Sequence, residues 1–520
     1  LLLYGLLLIG FLIFEPLGLY GIWIRIRNYW KSWPFTYSQS PDRPWPGHEI
    51  GPEEETVRKA RIFVLLLVLA LVAAACGSSG DDETTTTAAA SGGEDTTTTA
   101  APSGGDETTT TTAPPEEPTE MMTDFGVDLE AGTITVGQTA DLTGPFQPLV
   151  APIIAGQQMY WAWVNANGGI GGLQVEMLTR DTAYDLEQHI AAYDEIRDQV
   201  VAISHTTGSS QTLGISDALE EDSMIAVPAT WYSGWTDTNI APTVLHSGAP
   251  YCLEAMSLLD WLLDEETKAG NDAPTLAIAS IPGDFGLDPM AGALLWAEAN
   301  GIEVVHDGSG TIVPGQDLKP VADAIVSSGA DLVYVSTTPS TFSEVYGAAL
   351  TQGFEAKWSG SGPTYNPAFL VSPIADAIQR DWYGGFYMQP WGGDSPGMAL
   401  TMQLVEASGA DMPPNDYVGL GVVQAMLVHA ALEQAYENGD MTRAGVLAAI
   451  RSLDNVTFQG MAPAENYTGS TSDQVQRAIT LWRPSVANLE AGGSGSEIIQ
   501  TDFIGPTAES FEFTEAGYQF

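Results

Sequence analysis

TITVGQTADLTGPFQPLVAPIIAGQQMYWAWVNANGGIGGLQVEMLTRDT, residues 133–182, is the stretch on which the fold turns. Its first eight residues are short, β-branched and apolar, and they read as a strand. A polar loop with a glycine follows. Residues 155–167 then carry apolar side chains at helical spacing, and LQVEMLTRDT reads as a second strand. Working outward, the alternation continues with a helix over 186–199, the strand VVAISH (200–205), a helix over 211–221 and the strand MIAVPAT (224–230). Strands and helices taking turns in this way predict a parallel sheet covered by helices on both faces.

After Tyr251 the pattern restarts. TLAIASIP, IEVVHDG, DLVYVST and AKWSGSG read as strands, with helices over 289–300, 318–328 and 341–351 between them. That is a second sheet. With a further crossing near residues 383–391 (within WYGGFYMQPW, 382–391), the expected fold class is α/β, two doubly wound parallel sheets in two lobes joined by a three-segment hinge. Lobe I takes residues 131–248 and 388–476, and lobe II takes 249–387 and 477–520. Such lobes close over a cleft.

The N-terminal quarter is built differently. LLLYGLLLIGFLIFEPLGLYGIWI is about as long as a membrane span and is closed by Arg25, Arg27 and Lys31. With the basic and aromatic run that follows, EPLGLYGIWIRIRNYWKSWPFTY resembles the C-terminal tail of the permease subunits of branched-chain amino acid ABC importers. A secretory signal then begins afresh: Arg58, Lys59 and Arg61, the apolar run 62–72, and small residues before Cys76. LVAAAC resembles a lipobox, which implies lipid modification at Cys76. Residues 1–56 are therefore read as a neighbouring reading frame joined to this one, or as a genuine fusion, and 57–76 as a lipoprotein signal peptide. Residues 77–130, rich in Thr, Gly and acidic residues, have little to bury and read as a disordered tether.

The charge balance narrows the partners. The chain carries 17 basic and 66 acidic residues, and seven of the basic ones precede residue 62. Such acidity repels phosphate backbones and anionic lipid headgroups, so nucleic acid is excluded as a partner and membrane contact falls to the lipid anchor. The two cysteines, Cys76 and Cys252, leave no internal disulfide once Cys76 is modified. The folded part must then rely on core packing.

In open α/β sheets ligands sit beyond the carboxyl ends of the strands. The loops there are DLTGPFQP (141–148), HTTGSSQT (205–212), PATWYSGW (228–235), PGDFGLDP (282–289), STTPST (336–341) and SGSGPTYN (359–366). They are rich in Gly, Ser, Thr and aromatic residues and poor in His, Lys, Arg and Cys. Hydroxyls and free N–H groups at helix starts can hold a carboxylate without a counter-cation. Trp231, Tyr232, Trp235, Phe285 and Tyr365 can supply an apolar wall, or can be core and rim residues.

These landmarks carry a resemblance. DLTGPF, Gly156, VNANGGIGG, RDTAYD, GSSQT, MIAVPAT, PGDFGLDPM and DYVGLGVVQAMLVHAALEQA resemble, in order and spacing, those of branched-chain amino acid binding proteins, the type I periplasmic binding proteins that feed ABC importers. The resemblance covers most of 131–485. It implies an extracytoplasmic solute-binding component, lipid-anchored on the outer face of the cytoplasmic membrane, with a small-molecule ligand and ABC permease subunits as partners and no cofactor. It nominates Gly208, Ser209 and Ser210, then Ala229, Thr230 and Trp231, for the ligand carboxylate. Phe146, Leu149, Phe285, Thr338 and Gly362 complete the candidate site.

Two positions depart from the family pattern. Leu149 stands where the family has a tyrosine, and no carboxylate is present near Gly362, where amino-acid binders pair the ligand ammonium. A buried ammonium without a counter-charge is costly. An α-amino acid is thus disfavoured unless Asp284, Asp288 or Glu344 substitutes, and a polar or carboxylate head on a compact organic body is expected.

Other classes fare worse. The sequence holds no GxSxG, P-loop or HExxH, and its histidines are scattered. His205 is the one candidate base, against a plain hydrogen-bonding role at a strand end. The carboxylates of RDTAYD (180–185) are candidate acid–base groups, against a capping role. A sensory module would require a span and an output domain after the sensor, and neither is read up to Phe520.

Overall fold

The computed structural model describes residues 121–469 and 474–513, within the compact unit Thr111–Phe520. The permease-like tail, the signal sequence, Cys76 and most of the tether lie outside the described residues. The described part of that expected tether is ordered. β1 (Met122–Thr123) pairs with β12 (Asp440–Met441), and β2 (Val127–Asp128) runs antiparallel to the start of β3 (Thr133–Ala140). The domain therefore begins some ten residues earlier than the sequence suggested. Val127 is buried, and the Arg443 guanidinium lies 4.4 Å from the Phe125 ring centre. Those two contacts offset the cost of ordering an otherwise polar segment.

In the first sheet β3 is flanked by two parallel neighbours, β4 (Gln174–Asp181) and β5 (Ala202–Thr207), and β6 (Ala226–Ala229) lies beyond β5. The connecting helices are α1 (Gln147–Ala166), α2 (Leu186–Ile196) and α3 (Ser209–Glu221). Because the chain leaves β3 to one side and returns to the other, the loops after β3 and β5 diverge and open a crevice.

The second sheet repeats this. Its order is β14-β13-β11-β10-β9-β7-β8, with strands β7 (Leu276–Ser280), β8 (Val304–Gly308), β9 (Leu332–Ser336), β10 (Lys357–Gly360), β11 (Trp382–Phe386), β13 (Ile479–Pro484) and β14 (Ser496–Phe503). Helices α4 (Tyr251–Lys268), α5 (Asp284–Asn300), α6 (Lys319–Ser328), α7 (Pro339–Thr351) and α8 (Ala375–Asp381) serve it. The chain switches sides between β7 and β9, so a second crevice opens there. The chain then returns to the first lobe through α9 (Pro396–Ser408), α10 (Asp416–Glu437) and α11 (Arg443–Ile450).

The fold is the expected two-lobed α/β arrangement, with two differences. The second sheet is mixed, since β13 is antiparallel to β11 and β14 to β13. WYGGF, read as a crossing, is strand β11, and the crossing follows it. Its two glycines lie against the Trp482 ring and the Leu258 side chain, where a Cβ would come within 2.2 and 3.0 Å. Close packing, rather than a bend, explains them.

Several helices also begin earlier than expected: α1 at Gln147, α5 at Asp284 and α7 at Pro339. Pro148 and Pro339 stand in the first turn of their helices, where no backbone N–H has an intrahelical partner to lose. Pro289 lies deeper and cannot bond the Phe285 carbonyl four residues back. The Ser336 hydroxyl donates to that carbonyl instead, at 3.0 Å, which ties α5 to the end of β9.

Candidate functional site

The crevice between the lobes is a cavity of about 410 Å³, counted to its open mouth. Lobe I contributes the start of α1: Phe146, Leu149, Val150 and Ile153, all at most 5% exposed. Asp141 sets that start. Buried after β3, it accepts the Phe146 N–H at 2.8 Å and the Gly144 N–H at 2.5 Å, and so folds DLTGPF into a tight turn. Burial, partly countered by these N–H groups, raises its pKa.

The polar edge comes from the ends of β5 and β6. Gly208 has φ +95°, and a Cβ there would strike the Gln211 and Tyr184 side chains. Only glycine fits. It leads into α3 with no side-chain cap, so the first-turn N–H groups and the positive end of the helix dipole border the cavity. The buried hydroxyls of Ser209 and Thr230 bond each other closely. One hydroxyl donates to the other, and Thr230 also bonds the Tyr251 hydroxyl, so the pair forms a hydroxyl cluster at the cavity edge.

Trp231 and Phe285 close the cavity from above, joined by Tyr251 through ring contacts of 5.9 and 5.3 Å. Phe285 meets Phe146 edge-on at 5.7 Å, which completes an aromatic belt across both lobes. None of the lining residues is Asp, Glu, His, Lys or Arg.

Beneath this surface lies a neutral polar network. His205 Nδ1 bonds Gln424 at 2.9 Å and Nε2 bonds Thr207 at 2.8 Å, while His189 Nε2 bridges Thr139 and Thr206. Burial pushes His205 down to about 4 and His189 to about 3, so both are neutral at ordinary pH. His205 therefore braces β5 and does not face the cavity. Asp181 accepts Leu142 and Ala183 N–H groups and the Thr143 hydroxyl, and Asp185 caps α2. The carboxylates of RDTAYD shape loops.

The candidate residues thus divide. Phe146, Leu149, Gly208, Ser209, Ala229, Thr230, Trp231 and Phe285 line the cavity; Ser210, Thr338 and Gly362 do not. Ser210 is exposed and donates to Asp284 at 3.2 Å, across the mouth between lobes. Thr338 caps its own helix, α7. Gly362 lines a neighbouring cavity and donates its N–H to the buried Glu254, whose pKa burial raises.

Of the substitutes considered for a missing carboxylate, Asp288 is buried under Ser233, Asp284 takes the Ser210 hydroxyl, and none of the three, Glu344 included, lines the cavity. Tyr232 and Trp235 pack on each other in the lobe I core.

Seven lining residues escaped the sequence reading: Val150, Ile153, Tyr184, Thr207, Pro363, Tyr417 and Leu420. Tyr184 did leave a signal inside RDTAYD. Ala183 and Tyr184 both have positive φ, 47° and 59°, and non-glycine strain of this kind gathers at binding sites.

A protein family described as periplasmic binding protein matches residues 133–485. A comparison with curated proteins yields no match. Among solved structures, a fatty acid ABC transporter substrate-binding protein from Thermomonospora curvata is 26% identical at a TM-score of 0.69, covering 76% of this chain and 97% of its own. A branched-chain amino acid ABC transporter protein from Thermus thermophilus with bound valine is 17% identical, TM-score 0.61, over 72% and 98%. A solute-binding protein from R. palustris in complex with 4-hydroxybenzoate is 18% identical, TM-score 0.59, over 72% and 98%.

Proposed function

The chain belongs to the periplasmic binding protein family, and from that premise we propose that it captures an organic monocarboxylate lacking an α-ammonium group and presents it to the permease subunits of an ABC importer. One observation carries this reading: the cavity between the lobes has an uncapped helix start and two hydroxyls at one edge and uncharged, mostly apolar residues elsewhere. A carboxylate can be held by the α3 N–H groups together with Ser209 and Thr230. An ammonium would find no ionised partner there, and its desolvation would go uncompensated. The aromatic belt suits an aliphatic or aromatic body. Support comes also from the 26% identical Thermomonospora curvata protein, named for fatty acid transport.

Calorimetry with matched pairs tests the ligand class. 3-Methylbutanoate should bind at least about tenfold more tightly than valine, and 4-methylpentanoate more tightly than leucine by as much, a difference of about 1.4 kcal/mol. Ser209→Ala should weaken the acids by about 1 to 3 kcal/mol, the cost of a hydrogen bond to a charged group. Tighter binding of the amino acid in either pair would refute the reading.

In the cell, the binding domain works outside the cytoplasmic membrane, tethered through lipid on Cys76, and its lobes close on the ligand. Metabolic labelling checks the anchor. The wild-type protein should incorporate labelled fatty acid and Cys76→Ser should not; equal labelling of the two would sink the lipoprotein reading.

A further inference from the structure

The neighbouring cavity, about 450 Å³ to its mouth, is lined by residues of both lobes. Its walls include Phe386, Met388 and Trp482, with Tyr365 and Gln389 among them. It shares Tyr417 with the first cavity, and the two meet across consecutive residues: Pro363 lines the first and Gly362 the second. The Tyr417 hydroxyl donates only a long bond, 3.4 Å, to the Gly362 carbonyl. The division between the cavities is therefore thin: the Tyr417 side chain, the 362–363 loop, whose Gly362 N–H is bonded to Glu254, and the Trp231–Phe386 ring contact of 4.8 Å.

Two polar atoms on residues of this second wall are buried without a partner, the Tyr365 hydroxyl and Gln389 Oε1. Tyr365 is 3% exposed, set among Phe369, Trp382 and Trp482. A buried donor and a buried acceptor left unmatched each cost free energy. A ligand hydroxyl has the chemistry each requires, since it can accept from the tyrosine and donate to the amide oxygen.

We propose that the second cavity is a distal subsite of the same ligand groove, built for the far end of an elongated monocarboxylate that ends in a neutral hydroxyl. The inference rests on the carboxylate reading above. The head group lies at the start of α3, the apolar body passes Tyr417, and the terminal hydroxyl sits between Tyr365 and Gln389. Asp416 also borders the subsite, but its oxygens already accept the Trp391 N–H at 2.6 Å and the Ser496 hydroxyl at 2.8 Å. An ammonium has no lone pair to accept from the Tyr365 hydroxyl, so a terminal hydroxyl is the matching group.

Calorimetry on the binding domain with straight-chain acids from butanoate to dodecanoate, each beside its ω-hydroxy and ω-amino counterparts, tests this. At the length that reaches the subsite, the ω-hydroxy acid should bind about tenfold more tightly than its parent acid, and Tyr365→Phe or Gln389→Leu should bring that ratio close to one. Tyr365→Phe keeps the ring packing, so a retained thermal transition will show that the variant is folded. Short acids that bind while the ω-hydroxy advantage is absent at every length would overturn the subsite alone. A preference for the ω-amino series would assign the cavity to a cation and overturn it too. If no acid of any length binds, the carboxylate reading itself falls.

Discussion

Between about pH 6.5 and 8 the folded protein should lose on the order of 1 kcal/mol of stability, and Glu465→Gln should remove that loss. Glu465, 2% exposed, accepts the Gly248 N–H at 2.6 Å, and burial raises its pKa to about 8. Asp288, fully buried, accepts the Ser233 N–H and hydroxyl while its second oxygen has no partner, and burial raises it to about 7. The first bond fastens the segment that leaves lobe I, and the second joins lobe I to α5 of lobe II.

A carboxyl whose folded pKa lies above its unfolded one contributes stability that is complete below the unfolded value and is lost as pH rises through the folded value. Over this window the two groups retain about two pH units of proton binding, each unit worth about 1.4 kcal/mol. Glu254, raised well above 4.5, acts in the same direction. His189, His205 and His246 are lowered by burial to about 3, 4 and 4, so they oppose this trend until the unfolded histidines have lost their protons near pH 7.5, and they offset about half of the loss. The carboxyls lowered by hydrogen bonds, such as Asp181 and Asp222, act lower still. Urea midpoints at pH 6.5 and 8 give the measurement. A midpoint that stays level in the wild-type protein would show that these carboxyls are ionised in the fold.

Gly421→Val should destabilise the domain by about 3 kcal/mol and weaken ligand binding as well. Helices α1 and α10 cross so closely that a Cβ on Gly421 would stand 2.0 Å from the Ile153 carbonyl oxygen, and one on Gly156 would stand 2.2 Å from that of Val418. The obstacles are backbone atoms, which no rotamer change can move aside, so the helices must separate. Separation also stretches the buried Gln157–Gln424 bond of 3.0 Å. It displaces Ile153 and Leu420, one lining residue from each helix. Denaturation and calorimetry of the variant should both respond. A variant with the wild-type midpoint would mean that the helices pack less tightly than described.

The sequence by itself determined the two-lobed α/β architecture and the loops that border the cavity between the lobes. Strand-and-helix alternation is local, written in periods of two and 3.6 residues, and its restart after Tyr251 marks the second sheet. The glycine-bearing loops were legible for the same reason. A position such as Gly208, with φ +95°, admits almost nothing else.

Only the tertiary structure decided which side chains share the cavity. Ser209 and Ser210 are neighbours in one loop motif, yet successive residues on a helix point about 100° apart. Ser209 therefore meets Thr230, while Ser210 reaches out to Asp284. Tyr417 and Pro363 come from distant segments and had no local pattern to betray them. Protonation was equally hidden: a carboxylate reads the same in sequence whether solvated or, like Asp288 and Glu465, enclosed. Burial is a property of the packed chain, and it alone decides whether the charge survives.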